Sequence, residues 1–266
     1  MALARTYAAL LRVAIAEQIQ YRASALVWML GMILEPIIYL VVWSTVAESR
    51  GQAVAGYDAR DFAAYYLGFF VANHLTFTWV MEVFQYRIQE GALSFELLRP
   101  LHPIHADIVA NVAYKLVMLV VLVPVAFAIA LYFDPRLSPE PWALALLPVA
   151  LPLAFVSRFL IEWSVALSAF WTTRTSAVNR AYYSVNLFLS GRAAPIAVLP
   201  DWLGAAASHL PFYAALGFPV ELALGRLSPQ EATRGIALQL FWVACALGLM
   251  AVVWGRAVRR FSAVGS

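Results

Sequence analysis

Residues 108–133 read IVANVAYKLVMLVVLVPVAFAIALYF, and Lys115 is the one charged residue among them. A helix of about 20 such residues crosses the roughly 30 Å hydrocarbon layer of a bilayer, whereas a soluble domain has little use for a helix of this length with a single charge. The same bias runs through the whole chain: 63% of its 266 residues are apolar and 12% are charged, against about 45–50% and 25% in soluble domains. So few charges cannot build a water-facing surface, and the chain reads as an all-α, polytopic membrane protein.

Working outward from that run, Phe62–Phe84 and Ala23–Ala47 are the two spans before it, separated by the polar loop Glu48–Arg60. The first is too long for the 7–15-residue core of a signal peptide and should stay as an anchor. Ahead of it, Leu3, Tyr7, Leu10, Leu11, Ile15 and Ile19 recur at helical spacing, with Arg5, Arg12, Glu17 and Gln20 elsewhere on the wheel. Residues 1–22 are therefore expected to form a helix lying in the membrane interface.

Beyond the opening run, Asp134–Pro141 holds three prolines and reads as a turn. Trp142–Trp171 is a fourth span, which Pro148 and Pro152 should bend. After a polar loop, Thr172–Arg180, a fifth span starts near Ala181 and is interrupted by Ser190-Gly191-Arg192 near mid-bilayer. Residues 195–230 carry Pro200, Asp201, Pro211 and Pro219, which suits short half-helices in a re-entrant hairpin of the outer leaflet. A sixth span covers Ala232–Trp254.

Arg5, Arg12, Arg22, Arg87, Arg99, Lys115, Arg174, Arg180, Arg256, Arg259 and Arg260 fall on one side of this layout, and Arg50, Arg60, Arg136, Arg226 and Arg234 on the other. The excess of basic residues puts both termini in the cytoplasm. Because they are dispersed between apolar runs, the net charge of +3 gives no nucleic-acid footprint. Cys245 lies in an apolar run and reads as buried packing, with no second cysteine to pair with. Trp79 and Trp163, too deep for an interfacial belt, require protein neighbours.

Charges at bilayer depth cost at least about 2.5–3.5 kcal/mol each, so they should face protein or a watery path. The candidates are Glu35, beside Pro36 in the first span; Arg158 and Glu162, one turn apart in the fourth; and Arg192 at the break in the fifth. Arg158 and Glu162 are placed to pair with each other as structural glue or to line a substrate path. Glu35 is an alternative partner for Arg158. Arg192 could meet an anionic head group or carboxylate. The sequence leaves these readings open.

His102, His105 and Asp107 have the composition of a metal site. Pro103 should break the helix that would align the histidines, and no glutamate lies between them as in a His-Glu-x-x-His site, so no metal is expected. The chain has no Gly-x-Ser-x-Gly elbow, no Gly-x-x-x-x-Gly-Lys-Ser/Thr loop and no Gly-x-Gly-x-x-Gly turn. Any ATP it uses must be held, with its Mg ion, by another polypeptide.

Two segments carry a resemblance. Ser190 and Gly191 are followed by Pro195, Pro200, Trp202, Pro211, Phe212 and Pro219; between the second and third spans stands Glu90-Gly91-Ala92-Leu93 through Leu97-Leu98-Arg99-Pro100-Leu101. Together with the six-span layout they resemble the type 2 permeases of ATP-binding-cassette transporters, in their short form without a fused ATPase, over essentially the whole chain. Arg192 departs from the pattern, since a small or apolar residue is expected there.

The resemblance implies a bacterial inner-membrane exporter subunit without enzymatic activity or cofactor of its own. It also implies a dimeric ABC ATPase as partner and a second permease, identical or homologous, beside it. Residues 85–107 become the cytoplasmic coupling segment, with Gln89, Glu90, Gly91, Leu93, Phe95, Leu97, Leu98, Arg99 and Pro100 meeting the ATPase. Apolar anchors among charges are the composition of an interface core with a polar rim. An ion-coupled secondary transporter using Glu35 and Glu162 as proton carriers, or a membrane-embedded enzyme, are the competing classes; the absence of a visible internal repeat counts against the former. The aromatic richness favours an amphipathic or hydrophobic cargo.

Overall fold

A computed structural model describes residues 2–172 and 175–260, so Arg174 lies outside it, as does the side chain of Leu3. Among the described residues every regular element is helical: α1 (Ala2–Gln20), α2 (Arg22–Arg50), α3 (Ala59–Thr76), α4 (Val80–Gln89), α5 (Ala92–Leu97), α6 (Pro103–Phe133), α7 (Pro141–Ala166), α8 (Ser176–Leu189), α9 (Asp201–Ala207), α10 (Pro211–Ala215), α11 (Gly217–Ala223) and α12 (Pro229–Arg260). Five segments are long and apolar enough to cross a membrane: Arg22–Arg50, Ala59–Gln89, Pro103–Phe133, Pro141–Phe170 and Pro229–Arg260.

The surface is inverted relative to a soluble protein. Val120, Val123, Phe127 and Leu131 form one exposed stripe along α6, and Val27, Leu30, Leu34, Ile38 and Val41 a second along α2. Large apolar side chains at helical spacing facing outward need lipid as their solvent. The chain is thus a multi-pass, all-α membrane protein.

The interior is built around α3, whose sequence is apolar all round and which is enclosed accordingly. Phe62, Tyr65, Tyr66, Phe69 and Phe70 are all buried and pack between α2, α6 and α11. A second cluster joins α4, α5, α7 and α12 through Phe84, Leu93, Phe159 and Trp163. The long helix α12 packs chiefly along α7. The helix α1 lays Tyr7, Leu10, Leu11, Ala14 and Ile15 on Val109 and Ala113 of α6. Ile19, assigned to the same face by periodicity, is exposed instead.

Three loops meet at the end of the molecule where α3, α7 and α12 begin. Arg136 binds Asp58 (2.7 Å) and Asp61 (3.4 Å), Arg60 binds Asp134 (2.8 Å), and Arg226 reaches Asp61 (3.3 Å) while lying over the Tyr57 ring at 3.6 Å. Asp58 and Asp61 also form a capping box at the start of α3. Burial opposes ionisation of Asp58, but the Asp61 backbone N–H and the Arg136 guanidinium outweigh it and hold the carboxyl below its usual 3.8.

Four sequence expectations need correction. Pro103 does not separate His102 from His105; it is the first residue of α6, where its missing N–H removes no helical bond, and His102 caps the helix by accepting from the Ile104 N–H at 3.2 Å. The fifth segment starts at Ser176 rather than near Ala181, so Asn179 and Arg180 are helical, with Asn179 turned inward. Cys245 is exposed on α12 rather than buried. Lys115, counted above with the basic residues of the cytoplasmic side, is interior; removing it leaves the basic excess in place. Pro148 and Pro152 both lie inside α7, which continues through them.

Candidate functional site

The second crossing segment is broken in its middle. Phe77, Thr78 and Trp79 leave the helix between α3 and α4, although neither proline nor glycine is present there. At 1.5 Å per residue the break lies about 17 Å from the end of α4, near mid-bilayer. Backbone groups exposed at that depth must be satisfied by protein. The Phe77 N–H donates to Asn73 O at 2.7 Å, and the Phe77 carbonyl accepts from Lys115 Nζ of α6 at 2.6 Å.

Arg158 and Glu162 of α7 seal the other side. Arg158 Nε donates to Glu162 Oε1 at 2.8 Å, and its NH1 reaches Asn73 Oδ1 at 3.1 Å and Thr76 Oγ1 at 3.3 Å. The Thr78 hydroxyl donates to Glu162 Oε2, and Tyr182 of α8 donates to Oε1 at 3.3 Å. The two side chains are 2% and 0% exposed. Arg158 therefore pairs with Glu162 across one helical turn, and the pair is closed off from solvent and lipid. The indole N–H of the fully buried Trp163 is held by Asp107 at 2.9 Å, while Trp79 packs edge-on against Tyr114.

Glu35 is not the partner of Arg158. Its carboxylate takes a two-pronged ion pair from Arg192, with Arg192 Nε 2.5 Å from Oε1 and NH2 on Oε2. Arg192 sits in the turn that ends α8, and aromatic residues hold that turn: Tyr65 donates to Gly191 O (2.8 Å), while Tyr66 and Trp43 both donate to Ala193 O (2.9 and 2.8 Å). Gly191 has φ +87°, and a Cβ there would lie 2.4 Å from the Tyr65 hydroxyl. Only glycine meets both conditions. The remaining residues of this motif start short helices: Pro195 precedes a 3-10 turn at Ile196–Val198, Pro200 precedes α9, and Pro211 opens α10. Phe212 packs its ring on Tyr182 at 5.7 Å, Trp202 is 73% exposed, and Pro219 is buried in α11.

Between α4 and α6 the chain folds into a braced knob. Gly91, at φ +68°, turns it into α5. Arg87 ties α5 to α6 through Glu96 (3.4 Å) and Asp107 (2.6 Å). Leu93 is fully buried and roots the knob, Leu97 packs partly behind it, and Phe95 and Leu98 stand out at 71% and 83% exposure. Glu90, Arg99 and Pro100 surround them on the exposed side, and Gln89 is exposed at the end of α4. Burial raises the Glu96 carboxyl above its ordinary value despite the Arg87 guanidinium. Burial, reinforced by the neighbouring His105, lowers His102.

The residues that looked like a metal site go to separate partners. Asp107 serves Arg87 and Trp163, His105 Nδ1 meets the Tyr7 hydroxyl at 2.5 Å, and the His102 ring packs at a tilt against Trp254, centroids 4.5 Å apart. Among the described residues no group of three potential metal ligands comes together.

The described residues thus form a long apolar bundle, with a short helix α8 and a chain of short helices before the last long one and a polar knob after the second long segment. The family profile described as ABC-2 family transporter protein matches residues 20–265. The chain belongs to this family. No curated protein matches it. As an ABC-2 permease it is a membrane component of a transporter, and the family implies an ABC system with a partner ATPase.

The break at Phe77–Trp79 and the side chains from α3 and α6 that fill it escaped the sequence reading. Their signal was the run Asn73-His74 and Thr76 in mid-span, together with Lys115 deep inside the apolar run 108–133. Polar residues at matching depth in neighbouring spans are a reason to look for a shared site.

Proposed function

We propose that this chain is the membrane-spanning half of an ATP-driven exporter, and that a separate ATPase grips residues 85–107. One observation carries the reading: on a knob fixed by Arg87 and rooted by Leu93, Phe95 and Leu98 are presented to the outside three residues apart. Two large apolar side chains on a rigid, charged segment make the core of a protein interface. The knob continues directly from α4, so a push on it is delivered to the broken second span.

The same reading makes α8 the short fifth crossing, residues 195–230 a re-entrant outer hairpin and α1 an interfacial helix, giving six spans with both ends in the cytoplasm of a bacterial inner membrane. A second permease completes the translocation unit, which works by alternating access. Arg192 and Glu35, whose side chains are 20% and 27% exposed, are the intramembrane charges that cargo can reach; the sealed Arg158–Glu162 pair serves the architecture.

Phe95→Asp and Leu98→Asp should each uncouple ATP hydrolysis from transport in vesicles reconstituted with the ATPase, with membrane insertion unchanged. Wild-type coupling and wild-type ATPase affinity in both variants would overturn the assignment.

A further inference from the structure

The short helices α9–α11 and the first half of α12 enclose an open cleft of about 710 Å³. That volume is in the range of pockets for drug-sized molecules. The cleft is built rather than left by loose loops. At one end the Trp242 indole N–H donates to His209 O at 3.0 Å, tying α12 to the turn after α9. Gln239, one turn away, donates to Ala214 O at 2.8 Å and Ala150 O at 3.1 Å. Gly235 brings α12 so close to Phe218 that a Cβ would lie 2.0 Å from its ring.

The chemistry of the walls is two-sided. Leu199, Phe218 and Leu238 give an apolar face, while Asp201, Glu221 and Glu231 outnumber the one arginine, Arg234. Glu231 is occupied by the Ser228 N–H and hydroxyl at 2.8 and 2.7 Å. Glu221 is different. It is 8% exposed, and the Tyr213 hydroxyl bonds one of its oxygens at 2.6 Å, while the other carries no hydrogen bond among the described residues. An ionised carboxylate recessed in an apolar cleft attracts a cation more strongly than one in water, because little solvent screens it, and the arriving cation itself favours the ionised form.

We infer that this cleft is a binding site for amphipathic organic cations, with the cationic group directed to Glu221 and the apolar body against Phe218 and Leu238. The inference rests on the exporter reading only for the direction in which such a ligand leaves; binding itself requires neither ATP nor a partner.

The test is fluorescence anisotropy of rhodamine 6G on the full chain in nanodiscs without nucleotide. A matched uncharged dye of similar size is measured in parallel. Glu221→Gln keeps an acceptor for Tyr213 and should weaken cation binding about tenfold, leaving the neutral dye unaffected. Leu238→Trp, which fills the cleft, should reduce both. If the Gln variant does not fold, Asp201→Asn at the cleft wall should weaken the cation selectively. No measurable binding by the wild type, or equal cation affinity in the charge variants, would overturn the proposal. Neither result bears on coupling at Phe95 and Leu98, so the exporter reading stands or falls separately.

Discussion

Removing one member of the Arg158–Glu162 pair should cost far more than its share of the interaction. Glu162→Leu leaves three donors without an acceptor: Arg158 Nε, the Thr78 hydroxyl and Tyr182. Arg158 keeps the neutral oxygens of Asn73 and Thr76 and the face of the Phe77 ring at 5.4 Å, none of them anionic, so its charge is buried without a counter-ion. Breaking a pair of this kind costs about 3–5 kcal/mol. Replacing both residues, Arg158→Leu with Glu162→Leu, removes the stranded charge and the lost attraction together, so the double variant should be no worse than either single one. The coupling energy should then be at least about 3 kcal/mol, or upwards of roughly 150-fold in the unfolding equilibrium. Reversible unfolding in mixed micelles of increasing SDS content, followed by helical circular dichroism, measures it. Additive effects within about 0.5 kcal/mol would show that the pair is not the closed unit described above.

Gly191→Ala should destabilise the chain by about 2–4 kcal/mol, combining left-handed strain with a clash on Tyr65; Tyr65→Phe in the same chain should recover only the clash, and wild-type thermal stability of Gly191→Ala would contradict the cage. Arg192→Gln orphans a half-buried Glu35, and about 1–3 kcal/mol should be lost; adding Glu35→Gln should restore stability but not export, and full transport by the single variant would remove Arg192 from the cargo route. The Asp58 contact has a depressed carboxyl, so its contribution, no more than about 1 kcal/mol for so exposed a pair, is complete above 3.8 and fades as pH falls through the lowered value. Pepsin cleavage of residues 51–58 should accelerate as pH drops below 3.8, normalised to an unstructured substrate; a flat rate between pH 5 and about 2.5 would refute it.

What could be read beforehand was whatever lipid dictates residue by residue. Apolar runs such as 108–133 located the spans, and proline spacing located the short helices after Gly191, because both signals are local. The knob was legible as a composition, but which apolar residues face out was not: Leu93 and Phe95 are two apart on one short helix, and Arg87 and Asp107 decide how that helix lies. Partners among buried charges were illegible for a deeper reason. Glu35 and Arg192 are 157 positions apart, and nothing local distinguishes Arg192 from Arg158 as the cation Glu35 will meet. The interruption at Phe77–Trp79 carries no breaker residue, so it is imposed by other helices rather than encoded in its own three residues.

That interruption constrains how the protein is made. The groups that satisfy it, Lys115, Arg158 and Glu162, are synthesised about 40 to 85 residues after Phe77. When the second segment leaves the ribosome it has no counter-charge to hold its midpoint open. Of the five long segments it is also the least hydrophobic, with a mean hydropathy of 1.2, because Asn73, His74, Thr76 and Thr78 await partners. It must therefore remain beside the insertion machinery, or in another protein's care, until the fourth span arrives. A nascent chain stalled before Arg158 should crosslink to the translocon through this segment, and one stalled beyond α8 should not.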